Sequence, residues 1–153
     1  MIIKGISHEG IIVKNLERTI AFYVDVLGLE LVSGPSKPFT DPSEGVGMGI
    51  EGDNRTHKHR EAILRVPGGD TLELIEFSDP SPILIPPTAA CIGKIHLGFL
   101  VDDIRAWTKK LKSYGVVPFS EPNEFETPDA ESGKGYWMYM RDPDGIIFEM
   151  QQI

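Results

Sequence analysis

The sequence predicts an α+β fold of two tandem βαβββ modules, and three observations carry that prediction. Arg65-Val66-Pro67-Gly68-Gly69-Asp70-Thr71-Leu72-Glu73-Leu74 returns as Arg141-Asp142-Pro143-Asp144-Gly145-Ile146-Ile147-Phe148-Glu149-Met150, with Arg, Pro, Gly and Glu each displaced by 76 positions. Ile6-Ser7-His8-Glu9-Gly10-Ile11-Ile12-Val13 is answered by Lys94-Ile95-His96-Leu97-Gly98-Phe99-Leu100-Val101, displaced by 88. In both halves the run that carries the His leads into residues at helical spacing and then into strand-like stretches bounded by turn residues.

The first module covers about 1–77. Its apolar run around His8 is the opening strand. Asn15 is placed to cap a helix whose buried stripe is Leu16, Ile20, Tyr23 and Leu27, and Gly28 is placed to end it. Strands follow over Leu29 to Ser33, Glu61 to Val66 and Thr71 to Phe77. Pro67-Gly68-Gly69-Asp70 is tight-turn chemistry, so the last two should form a hairpin.

The second module, about 92–153, repeats the order. Asp102 or Asp103 caps a helix with the stripe Ile104, Trp107, Leu111 and Tyr114, stopped by Gly115. Strands are expected at Val116 to Phe119, Gly135 to Arg141 and Ile146 to Gln151, the last two joined by the turn Pro143-Asp144-Gly145. Between the modules, Ser78 to Cys91 holds four prolines and reads as a stiff connector.

Two stretches stand apart from this order. Gly34 to His59 is long for a connection inside a compact domain, and Ser120 to Lys134 carries five acids. Both are candidates to close over a ligand. Within the first, His57 and His59 flank Lys58 among Arg55 and Arg60. That positive crowding reads as an exposed loop able to attract an anion.

The bulk composition narrows the function. At 153 residues the chain can bury a core without a disulfide or a structural metal. A net charge of −8, from 23 acids against 15 bases with no basic cluster large enough to reverse it, argues against nucleic acid as a partner. No apolar run is long enough to span a bilayer and no charged-then-apolar leader opens the chain, so no membrane partner and a cytoplasmic location are expected. The single Cys91 excludes a Cys-x-x-Cys zinc site and reads as a buried thiol.

The repeat supplies a candidate metal site: His8, Glu73, His96 and Glu149. Alternation along a strand sends Glu73 to the face opposite Leu72 and Leu74, and Glu149 to the face opposite Phe148 and Met150. A glycine two residues after each His leaves room beside it. Two carboxylates converging at ~4 Å would repel by roughly 4 kcal/mol at an effective dielectric near 20 unless a proton or cation lay between them. Two neutral imidazoles and two carboxylates form a neutral first shell suited to one divalent ion, Ni, Co, Zn, Mn or Fe, with open positions for water or substrate.

These residues resemble those of the vicinal oxygen chelate superfamily, the glyoxalase, bleomycin-resistance and extradiol dioxygenase group. The likeness runs through His8, Phe22-Tyr23, Leu27-Gly28-Leu29, Leu72-Glu73-Leu74, His96, Asp142-Pro143-Asp144-Gly145 and Glu149. It implies that the two βαβββ modules form a curled mixed sheet around one metal, helices outside, with His8, Glu73, His96 and Glu149 as ligands. It also implies a small-molecule substrate with vicinal oxygens and a homodimer, with the modules paired within one chain or exchanged between two.

Among the superfamily's reactions, the resemblance implies first a metal-dependent isomerase, epimerase or lyase of glyoxalase or methylmalonyl-CoA-epimerase type, with Glu149 or Glu73 shuttling a proton at carbon. Glutathione is not expected, because the positions that hold it in bacterial-type glyoxalase I are Ile12 and Phe77 here. Methylmalonyl-CoA epimerases are similar over His96 to Asp103 but usually carry Gln where Glu73 stands. The second reading is an extradiol ring-cleaving dioxygenase, whose pattern Tyr139, Asp142, Pro143, Gly145 and Glu149 fit, although Ala130 to Ser132 lacks the expected His. The third is a ligand-sequestering protein of the bleomycin-resistance kind, which usually lacks the full ligand set present here.

Overall fold

The computed structural model describes residues 2–40, 47–50, 57–84, 88, 90 and 92–153. The chain divides into two compact units, Met1–Leu84 and Ile85–Ile153. In the first, β1 (Glu9–Ile12) leads to helix α1 (Leu16–Ala21), whose last turns widen to a π-helical segment (Phe22–Val26), followed by β2 (Glu30–Ser33), β3 (Lys58–Arg65) and β4 (Thr71–Asp79). In the second, β5 (Leu97–Leu100) leads to α2 (Ile104–Ser113), β6 (Asn123–Glu126), β7 (Lys134–Arg141) and β8 (Ile147–Gln152).

Each unit is therefore βαβββ, with an open mixed sheet ordered β1-β4-β3-β2 in the first and β5-β8-β7-β6 in the second. The opening strand of each runs parallel to the last, and the remaining pairs are antiparallel. A parallel pair needs a crossover, which the helix provides by packing over one face. In the first unit that face holds Ile11, Ala62, Leu64, Leu72 and Leu74 against Leu16 and Tyr23, all buried. In the second it holds Met138, Met140, Phe148 and Met150 with Ile104 and Leu111. The opposite face of each sheet carries Glu73 in the first unit and Glu149 in the second.

Local chemistry fixes the helix starts. The Asn15 side chain accepts from Arg18 N at 2.8 Å, and Asp103 Oδ1 accepts from Arg105 N and Ala106 N at 2.9 Å. A second acceptor comes from the last strand of each unit: Glu76 Oε2 takes Leu16 N at 2.6 Å and Gln152 Oε1 takes Ile104 N at 2.9 Å. The hairpin turns form where Pro and Gly place them, and Asp142 Oδ1 caps the second by accepting from Asp144 N and Ile146 N.

Four sequence expectations are corrected. Val116 to Phe119 is not a strand. Its counterpart β2 makes a ladder with β3, but here Pro118 removes a donor and only Phe119 N bonds across, to Tyr139 O at 2.9 Å. The edge strand is instead Asn123–Glu126, so Ser120 to Lys134 is partly sheet. Ser78 and Asp79 extend β4 rather than opening the connector. His57 and His59, each 1% exposed, are buried, not in an exposed loop. β3 begins at Lys58, and Phe39 bridges to His59, closing over its ring at a centroid distance of 4.2 Å. The charge that suggested exposure is neutralised on the other face, where Arg60 pairs with Glu17 and Glu76. Cys91 and most of 41–56 lie outside the described residues.

Candidate metal centre

Strand register delivers the four candidate ligands. Glu73 lies on β4 directly opposite Gly10 of β1, and Glu149 on β8 directly opposite Gly98 of β5. His8 and His96 immediately precede the opening strands, so each imidazole reaches over the glycine two residues on. In the first unit His8 Nε2 and Glu73 Oε2 are 3.4 Å apart; in the second His96 Nε2 and Glu149 Oε2 are 3.1 Å apart. The same two atoms face each other in both copies.

The carboxylates are partly sheltered, Glu73 at 26% and Glu149 at 16% side-chain exposure, while His8 and His96 are open at 50% and 40%. A Cβ added at Gly10 or Gly98 would stand 3.9 Å from the carboxylate oxygen opposite. Each pair therefore lies on the open sheet face with its approach side uncovered. Around the pairs, Ser7 Oγ is 3.0 Å from His8 Nδ1, a hydrogen-bond partner at the ring nitrogen that does not face Glu73. Tyr139, opposite Glu149 on β7, brings its hydroxyl to 3.4 Å from His96 Nε2. Burial, and secondarily the negative charge of Glu149, pushes the Tyr139 phenol above its ordinary pKa.

Both pairs fit a divalent ion. Metal–nitrogen and metal–oxygen bonds of about 2.1 Å separate two ligand atoms by roughly 3.0 Å at a right angle and roughly 3.4 Å at the tetrahedral angle. The two N···O separations, 3.4 and 3.1 Å, fall in that interval. Among the described residues no set of three or more His, Cys, Asp or Glu side chains is gathered at one point; each unit brings together one His and one Glu.

His57 and His59 take no part in either pair. Their rings stack at 4.8 Å beside Phe77, and His59 Nε2 lies 4.0 Å from Glu61 Oε2. The sequence pattern does not single out one set of residues that stands beside the site. Trp137 and Tyr139 share the open face with Glu149, a placement that period-2 alternation from Glu149's cross-strand partner would reveal.

Comparison with known proteins agrees with this architecture. Residues 5–150 match the family described as the glyoxalase/bleomycin resistance protein/dioxygenase superfamily. A glyoxalase family protein from Bacillus cereus superimposes with a TM-score of 0.80 at 21% identity, covering 99% of this chain and 95% of that one. The fosfomycin resistance protein FosX of Listeria monocytogenes, solved with Mn(II) and 1S,2S-dihydroxypropylphosphonic acid, gives a TM-score of 0.64 at 22% identity over 99% and 93% of the two chains. A 2-epi-5-epi-valiolone epimerase from an Actinomyces species is 26% identical over 148 residues, 95% of this chain and 78% of its own length.

Proposed function

Because this chain belongs to the glyoxalase/bleomycin resistance protein/dioxygenase superfamily, we propose that it is a divalent-metal-dependent isomerase or epimerase of small molecules with vicinal oxygens. In this reading His8, Glu73, His96 and Glu149 hold one ion between them. The observation that carries it is the duplicated pair: the same imidazole nitrogen faces the same carboxylate oxygen, over the same glycine, in both units. The epimerase among the relatives and the Mn(II) in FosX support the reading.

A divalent ion bound there supplies Lewis-acid stabilisation of the negative charge that develops on a substrate oxygen. The chain's own residues move the proton. Glu149 or Glu73 takes a proton from the carbon beside that oxygen while the C–H electron pair shifts toward the oxygen, and a carboxylate then returns the proton to carbon. Two carboxylates suit this exchange, because one can hold the proton while the other keeps its charge. Tyr139 stands opposite Glu149 with its hydroxyl beside the His96 ring, one wall of the space in which the substrate would lie.

Elemental analysis of protein purified without added metal should find one divalent ion for each set of four ligands. Glu149→Gln keeps an oxygen donor but removes the base. It should retain part of the metal while lowering turnover by roughly 10²-fold or more on whichever substrate is turned over: a 2-oxoaldehyde hemithioacetal, an α-branched acyl thioester or a 2-hydroxy ketone. Solvent deuterium should enter the substrate carbon. Stoichiometric consumption of dioxygen with a catechol, by a Glu73→Ala variant that keeps its metal, would replace this reading with a dioxygenase.

A further inference from the structure

The two copies differ where the fold does not require them to. On the covered faces, Ala62 and Leu64 of β3 correspond to Met138 and Met140 of β7, apolar in both and buried in both. On the open faces, Glu61 and Ile63 correspond to Trp137 and Tyr139. Nothing in the packing under the helix calls for an indole at 137, since a glutamate serves at the same place in the first sheet. Trp137 is nonetheless only half-buried, with its ring 5.2 Å from Tyr139, whose own ring is 5.0 Å from His96. Beyond it on the same face, Phe125 lies over Gly135 so closely that an added Cβ would meet its ring at 2.5 Å. Half-exposed aromatic rings thus lead away from the His96–Glu149 pair, and Trp137 stands one side-chain repeat, about 7 Å, along the strand from the residue opposite Glu149.

We propose that Trp137, with Tyr139 on its near side and Phe125 on its far side, is a stacking shelf that selects substrates carrying a planar, unsaturated group next to the two oxygens bound at the metal site. The proposal rests on the metal-dependent reading above for the position of the oxygens, while the shelf stands on its own geometry. Such a site gains from both faces of the chemistry: a flat ring covers apolar indole surface that is otherwise wet, and offset or edge contacts between rings add to that burial. A saturated substituent of equal size would cover less of the shelf and lose the ring contacts.

The test uses two chelators with the same two-oxygen head, acetohydroxamate and benzohydroxamate, titrated calorimetrically into protein loaded with Mn(II). Benzohydroxamate should bind at least about tenfold more tightly, about 1.4 kcal/mol. Trp137→Ala should bring that ratio to within roughly threefold of unity, Trp137→Phe should keep most of it, and acetohydroxamate should change less than about twofold in either. Trp137→Leu takes the place of the alanine variant if that one fails to fold. An unchanged ratio in the variant that lacks the ring overturns the proposal.

A second measurement does not depend on metal. In metal-free protein with Trp107→Phe, which leaves one indole, benzyl alcohol should quench Trp137 emission saturably and cyclohexylmethanol should not. Absence of saturable quenching also overturns the shelf. If neither hydroxamate binds the loaded protein while benzyl alcohol still quenches, the metal-dependent function fails and the shelf remains.

Discussion

Replacing Gly98 by valine puts two methyl groups on the open face of the second sheet while leaving every residue proposed to carry chemistry in the sequence. A Cβ at Gly98 would stand 3.9 Å from Glu149 Oε2, and one at Gly10 would stand 3.9 Å from Glu73 Oε2, both ordinary contacts. Alanine therefore fits at either position and relieves the entropy cost of glycine in a strand, a gain of about 0.5–1 kcal/mol. Valine is different. Its γ-carbons reach about 1.5 Å beyond Cβ, so one directed along the face comes within about 2.5–3 Å of a carboxylate oxygen, well inside the ~3.5 Å of a relaxed contact. The carboxylate must turn away from its histidine, and displacing a ligand in this manner should weaken metal binding by roughly 10–100-fold, the range seen when ligand orientation is disturbed. Competition against a fluorescent chelator for Mn(II) or Zn(II) measures the affinity, and a thermal melt checks the fold, which valine's preference for strands should leave intact. Gly10→Val should behave alike. Parent-like affinity in both valine variants, or equal losses in the alanine variants, would refute the argument that these glycines exist to keep the carboxylates free.

Three further predictions concern the ground on which the site stands. Glu76→Ala strips the acceptor from Leu16 N and leaves Arg60 with Glu17 alone, so the first unit should lose roughly 2 kcal/mol in denaturant unfolding. The same cluster gives a sign for pH: hydrogen bonding to Arg60 lowers the Glu17 pKa, so its contribution is present above the ordinary glutamate value and fades as pH falls through the lowered one. Because Glu17 is largely exposed that share is small, and Glu17→Gln should flatten the acid limb only slightly. His59→Phe removes a buried imidazole whose Nδ1 has no hydrogen-bond partner among the described residues, and should raise the melting temperature by a few degrees, about 1 kcal/mol. Metal affinity should not move, since His59 stands opposite Phe77, four residues along β4 from Glu73. A fall in stability would show that the ring nitrogens serve the fold.

The duplication makes the two His–Glu pairs of the candidate site legible in the amino-acid sequence alone. His8 and Glu73 are far apart in the chain and neither is distinctive by itself, but their recurrence at His96 and Glu149 fixes both pairs, and strand alternation then assigns the carboxylates to the face away from the helix. What stays hidden depends on partners distant in the chain. His59 reads as exposed because Lys58 and Arg60 flank it, yet Arg60 turns to the helix face and bonds Glu17, 43 residues earlier, which no local pattern displays. The edge strand is misplaced for a similar reason. Val116 to Phe119 is the more apolar segment, but the edge of β7 is taken by Asn123–Glu126, where Phe125 finds the space over Gly135 and Glu124 finds Lys134 at 2.7 Å.

The comparison between copies also separates what the fold needs from what chemistry needs. Helix α1 begins on a strand carboxylate, Glu76, and α2 begins on a strand amide, Gln152; the position asks for an acceptor and takes either. At the next contact the roles are exchanged outright. Glu17 on α1 pairs with Arg60 on β3, while Arg105 on α2 lies over the ring of Tyr136 on β7 at 5.7 Å. Helix and sheet are held together in both units, once by an ion pair and once by a cation on an aromatic face, so residue type at these positions is free within the demands of packing. The open-face set obeys a different rule. His, Gly and Glu recur without exchange, although a half-exposed His and Glu stabilise a sheet no better than many other polar residues would. Residue identity held in both copies where packing is indifferent to it is what the proposed metal binding would demand, because a cation reads the donor atom and its distance rather than the volume of the side chain.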